Sequence, residues 1–64
     1  MTDDTDAILD VLGDAGSMSP ETIADELVTQ HGYEERDAKL AVTKAITDGT
    51  LEEHPSFENH YRPP

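Results

Sequence analysis

The sequence predicts an α+β fold in which three helices are followed by a C-terminal β-hairpin, all within one domain spanning residues 1–64. Apolar residues recur at helical spacing in three segments, which Gly and Pro residues separate. The C-terminal segment changes instead to two short extended runs on either side of a turn that contains a proline. We predict helices over about 3–12, 20–30 and 34–48 and a hairpin over about 50–62.

The first helix begins in an acidic segment. Asp3, Asp4 and Asp6 lie in its first turns, where carboxylates interact favourably with the positive end of the helix dipole. Gly13 is expected to end the helix. The predicted apolar stripe consists of Ile8, Val11, Leu12 and Ala15, with Leu9 at its margin.

The second helix has the sharpest start signal in the chain. Ser19 suits the N-cap, and Pro20 suits the first helical position because the N–H that it lacks has no intrahelical partner there. Met18 and Ile23 have the spacing of a hydrophobic staple, and Gly32 suits the C-cap. The residues predicted to be buried are Ile23, Ala24, Leu27 and Val28.

The third helix separates small apolar residues from cations. Its predicted core face comprises Ala38, Ala41, Val42, Ala45 and Ile46. The opposite, exposed face carries Arg36, Lys39, Leu40, Thr43, Lys44 and Thr47, and so holds three of the four cations of the chain. Gly49 is placed for a left-handed C-cap.

The hairpin is predicted from two short runs, 51–54 and 59–62, joined by a turn over 55–58. An isolated hairpin is marginally stable in water. We therefore expect Leu51, Tyr61 and Phe57 to pack against the helices.

This order of elements resembles the winged helix-turn-helix family, and the resemblance covers roughly residues 5–62. The segment SPETIADEL is similar to the second helix of that family, and VTKAITDGTL is similar to the end of its recognition helix running into the wing. The resemblance implies that the third helix faces the major groove of duplex DNA, as in transcriptional regulators. Other members of the family are protein-interaction modules.

The resemblance assigns roles to the exposed residues of the third helix. The three cations, Arg36, Lys39 and Lys44, would contact phosphates or guanine edges, and Thr43 and Thr47 would form short hydrogen bonds. A homodimer would be expected, joined through the first helix or the hairpin edge.

A protein partner is the alternative to DNA. The third helix opens with Glu34 and Glu35, and the hairpin carries three further glutamates, so several carboxylates would face phosphate. The alternative partner would bind through Leu40, Tyr33 or Phe57.

The composition is strongly acidic, with a formal net charge of −11 on 64 residues and no cysteine. It resembles the composition of proteins from halophilic archaea that accumulate salt. There is no apolar run near the ~20 residues of a membrane span and no basic leader, so a cytoplasmic location without membrane contact is expected.

Catalysis and cofactor binding are not expected. The serines have no persuasive partnership with His and Asp, and there is no glycine-rich phosphate loop. His31, His54 and His60 could be read with nearby glutamates as metal ligands, but they lack the spacing of a known metal motif. We predict no enzyme, no cofactor and no metal site.

Overall fold

The computed structural model describes residues 4–64, apart from the side chain at position 14. Three helices are followed by a two-stranded antiparallel sheet, as predicted, in an α+β arrangement consistent with a winged helix. The elements are α1 (Asp4–Leu12), α2 (Pro20–His31), α3 (Glu35–Asp48), β1 (Glu52–Glu53) and β2 (Tyr61–Arg62).

The end of α1 differs from the prediction. Gly13 does not end the helical segment. It begins a 3₁₀ turn, Gly13–Ala15, that follows directly after Leu12. This tighter turn rotates the following side chains away from the core, and Ala15 is exposed rather than part of the apolar stripe. Asp3 lies outside the described residues, so its predicted place in the first turn is not addressed.

The predicted caps of α2 are confirmed. Ser19 Oγ accepts a hydrogen bond from the backbone N–H of Thr22 at 3.3 Å. At the other end, Gly32 adopts φ 70°, and the N–H of Tyr33 donates to the carbonyl of Leu27 at 3.2 Å. This left-handed ending satisfies a carbonyl that the helix leaves without a partner.

Helix α3 ends in the same way. Gly49 has φ 86°, and the N–H of Leu51 donates to the carbonyl of Ala45 at 3.1 Å. The helix begins with Glu34 in the N-cap position, where its side chain makes no capping hydrogen bond. The chain therefore turns out of α3 with Leu51 directed into the core, where it is 2% exposed.

The hairpin has shorter strands than predicted. Only Glu52–Glu53 and Tyr61–Arg62 pair as strands, because residues 55–59 form bends and turns and Asn59 has φ 59°. Tyr61 donates its N–H to Met18 at 2.8 Å and accepts the N–H of Met18 at 3.1 Å. Strand β2 thus lies between β1 and Met18, which ties the hairpin to the segment before α2.

The core lies where the three helices meet the start of the hairpin. Its buried residues are Ala7, Ile8, Val11, Leu12, Ile23, Ala24, Leu27, Ala38, Ala41, Val42, Ala45 and Leu51. Tyr61 packs against this cluster, as predicted. Phe57 does not: it is 57% exposed at the hairpin tip, against the rings of His54 and His60.

Within residues 4–64, no helix combines the length and the apolar character needed to cross a membrane.

Candidate functional site on the third helix

The candidate site is the exposed face of α3, here called the α3 surface. It comprises the six predicted residues Arg36, Lys39, Leu40, Thr43, Lys44 and Thr47, all of which are exposed. Leu40 is 58% exposed, although burying a leucine side chain contributes about 1.5–3 kcal/mol. The fold therefore leaves a large apolar side chain in water on the helix that the resemblance singles out.

The two lysines of the α3 surface do not converge on one point. Successive residues of an α-helix are rotated by about 100°, which places Lys39 and Lys44 roughly 140° apart around the helix axis. Leu40 lies between them. The two lysines therefore mark opposite edges of the surface, and the apolar side chain of Leu40 lies about 40° from Lys44 and about 100° from Lys39.

Lys39 lies at the edge that faces α2. Its Nζ is 3.2 Å from Oε1 of Glu35, one helical turn earlier, as the i, i+4 spacing predicts. Both side chains are exposed, so this ion pair is worth only about 0.3–0.5 kcal/mol. It nevertheless brings a carboxylate next to the ammonium group that phosphate would have to approach.

Lys44 lies at the edge that faces α1. It lines a narrow cleft with Asp4 and Asp48. The hydroxyl and the backbone N–H of Thr50 donate to Asp48 at 2.6 and 3.0 Å. These bonds, with a smaller contribution from the charge of Lys44, lower the pKa of Asp48 below its usual value. Lys44 is thus flanked by the carboxyl groups of Asp4 and Asp48, and the turn at Thr50 favours the ionised form of Asp48.

The remaining polar residues of the surface differ in whether their polar groups are already bonded within the protein. Thr47 donates its hydroxyl proton to the carbonyl of Thr43 at 2.9 Å, so that hydrogen is already used within the helix. Arg36 takes part in none of the ion pairs found among the described residues. Arg36, Lys39, Leu40 and Thr43, together with Glu35, line one open depression. The structure thus brings together four of the six predicted residues.

Tyr33, a predicted anchor for a protein partner, is partly buried against the core. Its hydroxyl donates to Oδ1 of Asp4 at 2.6 Å, which links the turn before α3 to the start of α1. The side chain of Tyr33 therefore contributes mainly to packing and to the link between the two helices. Leu40 and Phe57 are the two predicted anchors that remain largely exposed.

The hairpin tip is held together by a histidine. Nδ1 of His54 accepts hydrogen bonds from the backbone N–H groups of Ser56 and Phe57, at 3.0 and 3.2 Å. The ring of Phe57 lies 4.8 Å from that of His54, measured between centroids. The position corresponding to a wing is therefore an ordered turn that presents an aromatic side chain.

The surface of the hairpin is acidic. Glu52 accepts a hydrogen bond from Nε of Arg62 at 3.2 Å, which engages the only cation of the hairpin. Its other two glutamates are exposed. The hairpin therefore presents two carboxylates, Glu53 and Glu58, that form no ion pair among the described residues.

The three histidines have separate local partners. His31 Nε2 lies 2.9 Å from Oδ2 of Asp10, joining the end of α2 to α1, and His60 Nδ1 lies 3.4 Å from Ser17 Oγ. His54 binds the backbone of its own turn. Among the side chains that the structure describes, no group of three or more potential ligands is placed to hold a metal ion.

A groove between α2 and α3, next to the α3 surface, was not predicted from the sequence. Its lining residues are Pro20, Glu21, Ala24, Asp25, Glu35, Lys39, Val42, Thr43 and Ile46. Ile46 was assigned to the core but is only partly buried, because it lies at the edge of the apolar face of α3. The helical repeat places Ile46 at the margin of the apolar face, beside Lys39 and Thr43, and this position could have indicated its partial exposure.

Comparison with family models, with curated proteins and with solved structures finds no match to this chain.

Proposed function

We propose that this chain is a non-catalytic protein-interaction domain with a winged-helix fold, and that its binding surface is the α3 surface centred on Leu40. The supporting observation is the 58% exposure of Leu40 between two cationic edges. An apolar centre surrounded by polar and charged groups is the usual anatomy of a protein interface, in which the centre is desolvated and the rim stays wet. Arg36, beside Leu40, is also of a residue type enriched in such interfaces.

Charge favours a protein partner over DNA. A phosphate backbone is bound mainly by converging Lys and Arg side chains. Here Lys39 is paired with Glu35, and Lys44 lies beside Asp48. The hairpin, which would lie against the duplex, adds further glutamates. With a net charge of −11, the domain repels a polyanion at low salt.

Binding of duplex DNA by a regulator is the second candidate function. One observation favours it: Arg36, Lys39 and Thr43 line the same open depression as Leu40, on the helix that faces the major groove in the family this chain resembles. In that case the cations would contact phosphates or guanines, and Leu40 would contact a thymine methyl group. A homodimer, through α1 or the edge strand β1, would supply the interface area that a single small domain lacks.

We further propose a cytoplasmic setting with a high internal salt concentration, as in halophilic archaea. The support is compositional: 15 carboxylates against four Lys and Arg residues. At molar salt the repulsion among these carboxylates is screened over ~3 Å, which makes such a surface compatible with a folded state.

Affinity capture with purified variants tests the main proposal. The immobilised wild type, Leu40→Ser and Leu9→Ser are incubated with host extract, and retained proteins are identified by mass spectrometry. Leu9 is the matched control because it is an exposed leucine on α1, away from the α3 surface. We expect a protein retained by the wild type and the control but lost with Leu40→Ser. The purified partner should then bind Leu40→Ser at least ten-fold more weakly, a change of ~1.4 kcal/mol.

DNA binding is tested in parallel with fluorescent genomic fragments over a series of KCl concentrations. The comparison is between the wild type and Lys39→Glu/Lys44→Glu, which reverses both cationic edges. The proposal predicts no saturable, sequence-dependent binding by either protein. Specific binding by the wild type that disappears in the double variant would reject the protein-interaction proposal in favour of the second candidate.

A further inference from the structure

The groove between α2 and α3 has an apolar floor. Ala24 and Val42 are 7% and 3% exposed, and the partly buried Ile46 extends the floor along α3. The groove joins the α3 surface directly, because Glu35, Lys39 and Thr43 line both the groove and the depression beside Leu40. A partner that covers Leu40 therefore has an adjoining apolar site into which a second side chain fits.

The rim of this groove is acidic. Glu21 and Asp25 are exposed and lie four residues apart on α2, so both project from the same side of that helix. Neither takes part in an ion pair among residues 4–64. The third carboxylate, Glu35, faces the one cation of the rim, Lys39, at 3.2 Å. The rim therefore carries two carboxylates without a cationic partner.

The groove walls are helices, which limits the kind of chain that binds there. Beyond their first turns, the backbone N–H groups of α2 and α3 are used within each helix, so the groove walls offer no strand edge with which an extended peptide could pair. A helical segment satisfies its own backbone groups and presents apolar side chains at i, i+3 and i+4. A helix is thus the occupant that leaves the fewest backbone groups without a hydrogen-bond partner on binding.

We propose that the α2–α3 groove receives an apolar side chain from a basic amphipathic helix of the protein partner. Lysine or arginine residues next to that side chain pair with Glu21 and Asp25. This inference rests on the proposed function, since it assigns the chemistry of the partner that covers the α3 surface. The apolar floor is the reason for expecting an apolar side chain from the partner, and the carboxylates without a cationic partner are the reason for expecting lysine or arginine beside it.

Two synthetic helical peptides test the chemistry of the occupant. Both carry leucines at i, i+3, i+4 and i+7; one carries lysines at the other positions and the second carries glutamates. Each is titrated into the ¹⁵N-labelled domain in a buffer of fixed salt. The lysine peptide should shift the amide signals of Ala24, Val42 and Ile46 with saturation, and the glutamate peptide should not. Shifts scattered over the whole surface, or equal shifts with both peptides, would overturn the inference.

Charge-reversal variants separate the effect of the groove carboxylates on peptide binding from the effect of the net charge. Glu21→Lys/Asp25→Lys changes the rim, and Glu53→Lys/Glu58→Lys makes the same change of net charge on the hairpin. All four residues are exposed, and circular dichroism checks that both variants fold. The rim variant should bind the lysine peptide at least ten-fold more weakly, and the hairpin variant less than three-fold. Equal weakening would show attraction by net charge alone and overturn the inference.

The Leu40→Ser variant distinguishes this inference from the proposed function. Retention of a partner that depends on Leu40 but is indifferent to Glu21→Lys/Asp25→Lys overturns the groove assignment alone. Saturable binding of the lysine peptide in the groove, with no partner that depends on Leu40, overturns the proposed function alone.

Discussion

At the scale of single residues, the start of α2 is controlled by Ser19, whose hydroxyl oxygen caps the N–H of Thr22. Replacing an N-cap serine with alanine removes this acceptor and typically costs ~1 kcal/mol. Ser19→Ala is therefore expected to lower the free energy of unfolding by about that amount, measured by urea denaturation. Ser56→Ala, at the exposed hairpin tip, is the control and should change it by less than ~0.5 kcal/mol. Equal effects of the two substitutions would contradict the capping role.

Asp48 predicts a pH dependence of stability. Hydrogen bonds from Thr50, with help from Lys44, hold its pKa below the usual 3.8. The ionised carboxylate therefore stabilises the fold above that pH, and the stabilisation is lost as the pH falls through the lower pKa of the folded state. Asp48→Asn should melt at a lower temperature than the wild type at pH 7, and the difference should narrow below pH 3.8.

Glu58→Gln is the control for the Asp48 prediction, because it removes one exposed carboxylate at the hairpin tip. Removing that charge should reduce repulsion without removing a stabilising contact. If Asp48→Asn and Glu58→Gln shift the melting temperature equally at pH 7, the turn at Thr50 does not stabilise the ionised form.

Residue-level features were predictable where the cause is local. Ser19 begins a helix, and Gly32 and Gly49 end helices, through bonds between residues at most six positions apart, and the structure has these caps as predicted. Ala15 and Phe57 were assigned wrongly because their burial depends on the path of the chain after a turn. A 3₁₀ extension and an ordered hairpin tip redirect these two side chains, and neither is encoded in apolar periodicity.

At the scale of elements, the hairpin depends on Leu51 for its attachment to the helices. Leu51 is 2% exposed, so Leu51→Ala leaves a cavity where α3 meets β1. Such substitutions cost about 2–5 kcal/mol. Urea denaturation should show a loss in that range, whereas Phe57→Ala should cost below ~1 kcal/mol because its side chain is exposed. A small loss for Leu51→Ala would mean that the hairpin is not anchored through the core.

The position of the hairpin was less predictable than its existence. The sequence shows two short runs with weak alternation of apolar and polar residues, separated by a turn. The pairing of Tyr61 with Met18 joins residues 43 positions apart and leaves no periodic mark on either segment. Only the folded arrangement of α1 and α2 brings the two backbones together, so local pattern could not supply this contact.

At the scale of the whole molecule, the net charge of −11 on 64 residues predicts a fold that depends on salt. Repulsion between exposed carboxylates acts over ~10 Å at 0.1 M salt but ~3 Å at 1 M. The melting temperature should therefore be markedly higher in 1 M KCl than in 0.1 M KCl. Sucrose is the control, because it strengthens burial without screening charge. A melting temperature indifferent to KCl, or raised as much by sucrose, would contradict this prediction.

The candidate site was predictable as a set of exposed residues but not as an arrangement. Helical periodicity places Leu40 in water, and the structure agrees. Helical rotation alone separates Lys39 and Lys44 by about 140°, but which neighbouring helix each lysine adjoins depends on tertiary packing, which periodicity does not encode. Lys39 adjoins α2 and Lys44 adjoins α1. Tertiary packing thus decides whether three cations on one helix act as one patch.

Site-specific photo-cross-linking tests the proposed binding surface most directly. A photoreactive amino acid replaces Leu40 in one variant and Leu9, the exposed leucine of α1, in the other. Both variants are expressed and irradiated in the host, and cross-linked products are identified by mass spectrometry. The account predicts one discrete protein adduct at position 40 and none at position 9. Adducts to DNA at position 40, or the same protein adducts at both positions, would contradict it.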